Sequence, residues 1–206
     1  MKKAIFIIMT LITAGLQAQN NLDQAKQAAS TFLKSLSTSV TADNYKMFGL
    51  KSPEDASQLE AGQAYVSNIV PLDQLKKYTG GDVKPLITNV NKASCIVMNR
   101  QTQQTAGIVD LELQKGMYVV KGFASSDLST ALGRIDKELF KQNFSIVRVP
   151  ALNVFFGSFT DSNNQKKFVS LQNNSNLQTE IGEVRPAEDF LKRLVPMANA
   201  YNGLPW

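Results

Sequence analysis
Between Cys95 and Phe123 the chain carries three apolar runs, Cys95 to Arg100, Gly107 to Leu113 and Met117 to Phe123, joined through the polar Gln101-Thr102-Gln103-Gln104 and Gln114-Lys115-Gly116. Connections this short join neighbouring strands that run in opposite directions. In the middle run Val109, Leu111 and Leu113 alternate with Asp110, Glu112 and Gln114, the pattern of a strand with one packed face and one wet face. The spacing predicts an antiparallel meander, and the rest of the chain must be arranged around it.

On its N-terminal side, Asn21 followed by Gln24 reads as an N-cap, and Leu22, Ala25, Ala29, Phe32 and Leu36 recur at helical spacing. This predicts an amphipathic helix from about Leu22 to Ser37. Ser52-Pro53-Glu54-Asp55 opens a second, short helix, Gln63 to Val70 reads as a strand, and Pro71 to Tyr78 as a helical turn stopped by Gly80-Gly81. Beyond the meander, Ser125-Ser126-Asp127 offers caps for a helix carrying Leu128, Leu132, Ile135 and Leu139 inward, with Asn143 as its stop. Phe144 to Val149 and Asn153 to Thr160 read as one long strand bent at Pro150, which Asp161 to Asn164 turns into Lys167 to Leu171. A last helix opens at Pro186 with Phe190, Leu191 and Leu194 inward, with Pro196 kinking or ending it near Tyr201. Helices and strands without regular βαβ alternation predict an α+β fold, with helices packed on one face of an antiparallel sheet. We read residues 19–206 as one domain with a possible subdivision near 125.

The first eighteen residues stand apart from this pattern. Met1-Lys2-Lys3, the apolar run Ala4 to Ala14 and the small-residue exit Gly15-Leu16-Gln17-Ala18 have the layout of a cleavable secretory signal. Cleavage near Ala18 would leave a protein destined for the periplasm or for secretion, its net charge lowered from +5 to +3 by loss of Lys2 and Lys3. No stretch is apolar for long enough to remain as a membrane anchor. Neither the charge nor its distribution suits nucleic acid.

The 206 residues contain no histidine and one cysteine. Imidazole-based triads and dyads, histidine metal ligation, all-thiolate zinc sites and internal disulfides are thereby excluded. No calcium-loop pattern occurs, and neither metal nor cofactor is expected. Cys95, inside an apolar strand, reads as a small buried hydrophobe. No Ser-x-x-Lys pair exists; Thr31 and Lys34 come nearest, on the first amphipathic helix.

Asp110 and Glu112 are the best-placed carboxylate pair, because residues two apart on a strand share a face at about 7 Å. That separation suits glycosidase-type acid/base work, although a wet strand face accounts for both. Lys166-Lys167, Lys192-Arg193 and the Arg134, Lys137, Lys141 series could offer a basic surface, and read as solvated faces. In Val154 to Phe159, period-2 placement puts Phe155 and Phe159 on one side and Phe156 on the other, so Phe155 and Phe159 are candidate ligand contacts.

The segment Gln63 to Phe123, with its Tyr65-Val66 strand, Leu72-Asp73-Gln74-Leu75 turn, hairpin and Gly116-Met117-Tyr118-Val119-Val120 strand, resembles exported bacterial cystatin-like proteins, whose fold is related to the nuclear-transport-factor-like one. The resemblance implies an N-terminal helix lying across an antiparallel meander. Inhibitory cystatins present Gln-x-Val-x-Gly on a hairpin loop, which here falls on Gln103 to Gly107, with Thr105 in place of the valine. Their Pro-Trp pair corresponds to no second hairpin, since Pro205-Trp206 lies at the chain end. The expectation is an exported, non-enzymatic binding or interaction protein for a protein, peptide or glycan. A cystatin-like protease inhibitor using Gln103 and Gly107 and a hydrolase using Asp110 and Glu112 are the alternatives.

Overall fold
The computed structural model describes residues 2–124 and 127–203, with side chains for 21–123 and 128–203. The side chains of the expected signal, the caps at Ser125 to Asp127 and the terminal Pro205-Trp206 lie outside the described residues. Twelve main elements follow in the order α1 (Lys2–Ser39), β1 (Leu59–Ile69), α2 (Leu72–Lys76), β2 (Thr88–Asn99), β3 (Thr105–Gln114), β4 (Met117–Ala124), α3 (Asp127–Arg134), β5 (Ser145–Val149), β6 (Val154–Thr160), β7 (Lys166–Ser170), β8 (Val184–Pro186) and α4 (Ala187–Ala200). The expected meander is β2-β3-β4, and the expected first helix runs past Asn21, which does not cap it. Neither proline nor a pair of glycines interrupts the residues before Asn21.

All eight strands form one sheet in the order β4-β3-β2-β1-β5-β6-β7-β8. Every neighbouring pair is antiparallel except β1 and β5, which run parallel with Ser67 opposite Ile146 and Ile69 opposite Arg148. The fold is thus α+β with a mixed, mostly antiparallel sheet. Among the described residues, no helix is long and apolar enough to cross a membrane.

The helices lie on both faces of the sheet, not on one. On the first face, Ala25, Ala29, Leu33 and Leu36 of α1 bury against Ala64, Ala93, Cys95, Val97, Val109 and Leu111. On that same face, α2 and α4 bring Leu75, Phe190, Leu191 and Leu194 onto Val147, Val149, Phe156 and Phe168. On the second face, Leu128, Ala131, Leu132 and Ile135 cover Tyr65, Ile96, Ile108, Phe144, Ile146 and Phe159. Cys95-Ile96-Val97 and Ile108-Val109 are apolar on consecutive positions, so both faces of β2 and β3 need cover at this end.

Two further expectations are corrected. Phe144 to Thr160 is not one bent strand: β5 and β6 reverse through a turn at Pro150–Leu152 and pair with Val149 opposite Val154. Asn153 closes the turn at φ +51°, a left-handed conformation its side chain tolerates. The helix expected to continue to Asn143 ends at Arg134, where Asp136 accepts a hydrogen bond from the Glu138 N–H at 2.9 Å and starts a separate turn, Lys137–Lys141. Pro196, by contrast, is accommodated within α4.

Candidate functional site
The helix α3 covers only one end of the second sheet face. Towards the other end the same face turns polar, and the strand order β3-β2-β1-β5 brings together side chains far apart in sequence. Ser94 sits opposite Asp110, and Lys92 stands opposite both Ser67 and Glu112. On β5, Arg148 follows Ile146 onto this face, and Phe155 of β6 lies opposite it.

These groups form a continuous hydrogen-bonded array. Ser94 Oγ donates to Asp110 Oδ1 at 2.8 Å and lies 2.9 Å from Ser67 Oγ. Ser94 has one hydroxyl proton, already given to Asp110, so Ser67 is the donor of that pair. Arg148 Nη2 donates both to Asp110 Oδ1 at 2.9 Å and to Ser94 Oγ at 3.1 Å. Its Nε is buried and has no hydrogen-bond partner among the described residues. The Arg148 guanidinium carbon stands 5.6 Å from the centre of the Phe155 ring, a cation–π arrangement that fixes both groups. Ser67 and Ser94 are 4% and 1% exposed, whereas the Asp110 side chain is 48% exposed, so the array leads from the sheet interior to solvent.

Ser67, Asp110 and Arg148 of the array line a concavity of about 470 Å³, together with Ile69, Val90, Pro150, Val154 and Phe155, the polar Asn68 and Asn153, and Lys92 and Lys121. Lys92, Lys121 and Arg148 line it against the single carboxylate Asp110, so its charge is positive. Glu112 lies beyond the edge, held by Lys121 at 3.2 Å. The Lys121 hydrogen bond keeps the Glu112 carboxyl below its ordinary pKa. A general acid needs the opposite displacement from that of Glu112, and Asp110 is anchored by Arg148 and Ser94.

Asp110 and Glu112 thus share a face, as their spacing predicts, but serve different ion pairs. Phe155 and Phe159 also share a face, with Phe156 on the other, stacked on Phe168 at 5.2 Å. Only Phe155 reaches the concavity; Phe159 is buried under the α3 side of the sheet. Gln103 and Gly107 are separated. Gln103 lies in the exposed connection between β2 and β3 at φ +54°, its Nε2 donating to the Arg100 carbonyl at 2.9 Å. Gly107 is inside β3, buried and opposite Val97. Gln103 instead borders a groove of about 910 Å³ between this connection and α3, shared with Arg134, Lys137, Phe140 and Lys141.

Cys95 is fully buried, and burial pushes its thiol up to about 11, which suits packing and not nucleophilic attack. Among the described residues, no group of three or more histidines, cysteines, aspartates or glutamates is placed to hold a metal ion. Ser67, Ser94, Lys121 and Arg148 escape the sequence reading, although one signal existed: Arg148 is the only charge in Ser145-Ile146-Val147-Arg148-Val149. A lone charge among strand-forming apolar residues needs a partner across the sheet. Comparison of the chain with protein-family models, curated proteins and solved structures finds no match.

Proposed function
We propose that this is an exported binding protein whose ligand, of small-molecule, short-peptide or sugar size, seats in the concavity on the uncovered end of the second sheet face. One observation carries the reading: Ser67, Asp110 and Arg148, tied together through the buried Ser94, line an open concavity together with Phe155. Hydroxyls withdrawn from water and tied to a partly exposed ion pair add little to stability compared with apolar residues in the same places. Polar groups converging in an apolar-walled hollow of this size are what small-ligand recognition requires. The ion-paired state of both carboxylates favours binding over acid/base catalysis.

Export rests on the layout of residues 1–18, and kinship with cystatin-like proteins rests on α1 lying across β1 to β4. The binding reading is tested by a thermal-shift screen of chemically diverse compounds against the wild type and Phe155→Ala. Ligands that raise the wild-type Tm and leave the variant unmoved support it. Ligands that raise both equally sit elsewhere and refute it.

A further inference from the structure
We infer that the concavity selects a small organic anion with a planar apolar body, its carboxylate or phosphate held at the Lys92 and Lys121 edge and its body laid against Phe155. This rests on the binding reading above and adds the chemistry of the ligand.

Three observations point to it. The lining carries three cations against Asp110, and with Glu112 at the edge on Lys121 one positive charge is left over, which an incoming anion balances and a neutral or cationic ligand does not. Arg148 and Lys121 each have a close acidic partner, Asp110 and Glu112, whereas Lys92, opposite Glu112 in the sheet and within its field, makes no close ion pair among the described residues. Lys92 is exposed at the edge, where an ammonium can meet a ligand anion at small desolvation cost. Ile69, Val90, Pro150 and Val154 make much of the remaining wall apolar beside Asn68 and Asn153, and the Phe155 ring is held by the Arg148 guanidinium, presenting a prepared surface to a flat group. With Arg148 Nη2 committed to Asp110 and Ser94, the arginine supplies field and rigidity while the lysines supply the contact.

The test uses four probes with one aromatic body: 2-naphthoate, 2-naphthyl phosphate, the neutral 2-naphthamide and the cationic 2-naphthylmethylammonium. Each is titrated into the isotopically labelled full chain and followed by NMR at Ser67, Asp110 and Phe155. An anion is expected to bind at least about tenfold more tightly than the amide, and the stronger of the two anions identifies the headgroup. Lys92→Gln is expected to weaken the anion about tenfold, leave the amide unchanged and leave the Tm unchanged, while Lys92→Arg restores anion binding. Equal or tighter binding of the amide or the ammonium at these residues overturns the anion inference and leaves the binding site standing. If no probe shifts these residues, both the inference and the reading it rests on fail.

Discussion

Replacing Gly157 by alanine probes how the second face of the sheet is closed. A Cβ built at Gly157 would lie 2.4 Å from Phe144 Cζ, 2.5 Å from Phe144 Cε2 and 2.6 Å from Val169 Cγ1, all in the buried core beneath α3. Ordinary contacts are near 3.5–4 Å, so the Phe144 ring must withdraw by about 1 Å. That ring packs edge-on against Tyr65 at 5.1 Å and Phe140 at 4.9 Å, and withdrawal loosens both pairs. Overpacking costs about 1–3 kcal/mol and each aromatic pair about 0.5–1.5 kcal/mol, so we expect a loss of about 3 kcal/mol. For a chain of this size that lowers the Tm by roughly 6–12 °C, measurable by urea and thermal unfolding. Phe144→Leu removes the two closest atoms, so the Gly157→Ala/Phe144→Leu double variant should be less destabilised than the sum of the singles by about 1 kcal/mol or more. A Gly157→Ala protein of wild-type stability, or strict additivity in the cycle, refutes the packing described for β6 and Phe144.

Arg148→Met should lower stability by about 1–2 kcal/mol in urea unfolding, because it strips Asp110 and Ser94 of their shared donor while solvent at Asp110 moderates the loss. Additivity of Arg148→Met with Asp110→Asn would show that the two groups are not coupled. The Cys95 thiol, moved from 9.0 to about 11 by burial, stays protonated in the folded state after the unfolded chain has ionised. Its contribution is therefore complete below pH 9 and is lost as pH rises from 9 towards 11, amounting to about 2–3 kcal/mol. Unfolding across this range should show a steeper loss in the wild type than in Cys95→Ala; parallel curves would contradict the buried environment. Residue-level analysis of the protein recovered from producing cells should find Gln19 as its N-terminus, and an intact Met1 would contradict export by signal cleavage.

The elements governed by local pattern were legible in the sequence. The meander follows from alternation in Val109 to Gln114, and Ala25, Ala29 and Leu36 of α1 bury as their helical spacing requires. What local pattern does not contain is the pairing of distant strands. The parallel contact of β1 with β5 joins Ser67 to Ile146, and nothing near either residue specifies it. The three-residue β8 is too short to carry a period, and a Pro150 bend and a Pro150 reversal look alike in one dimension. The same limit divides the site: Asp110 and Phe155 are visible as strand residues with a definite face. Ser67, Ser94 and Arg148 become a site only because the strand order sets them side by side. Two strand serines carry no signal until an aspartate and an arginine stand next to them.

Occupancy of this concavity by a small ligand is open to direct measurement. The most direct measurement incubates the full chain with a small-molecule extract of the cells that make it, then identifies by mass spectrometry what remains bound to the wild type, Phe155→Ala and Lys92→Gln after gel filtration. We predict an anionic compound with an apolar body, retained by the wild type and depleted at least about tenfold on both variants. Equal retention by all three proteins, or retention of nothing by the wild type, would contradict the account.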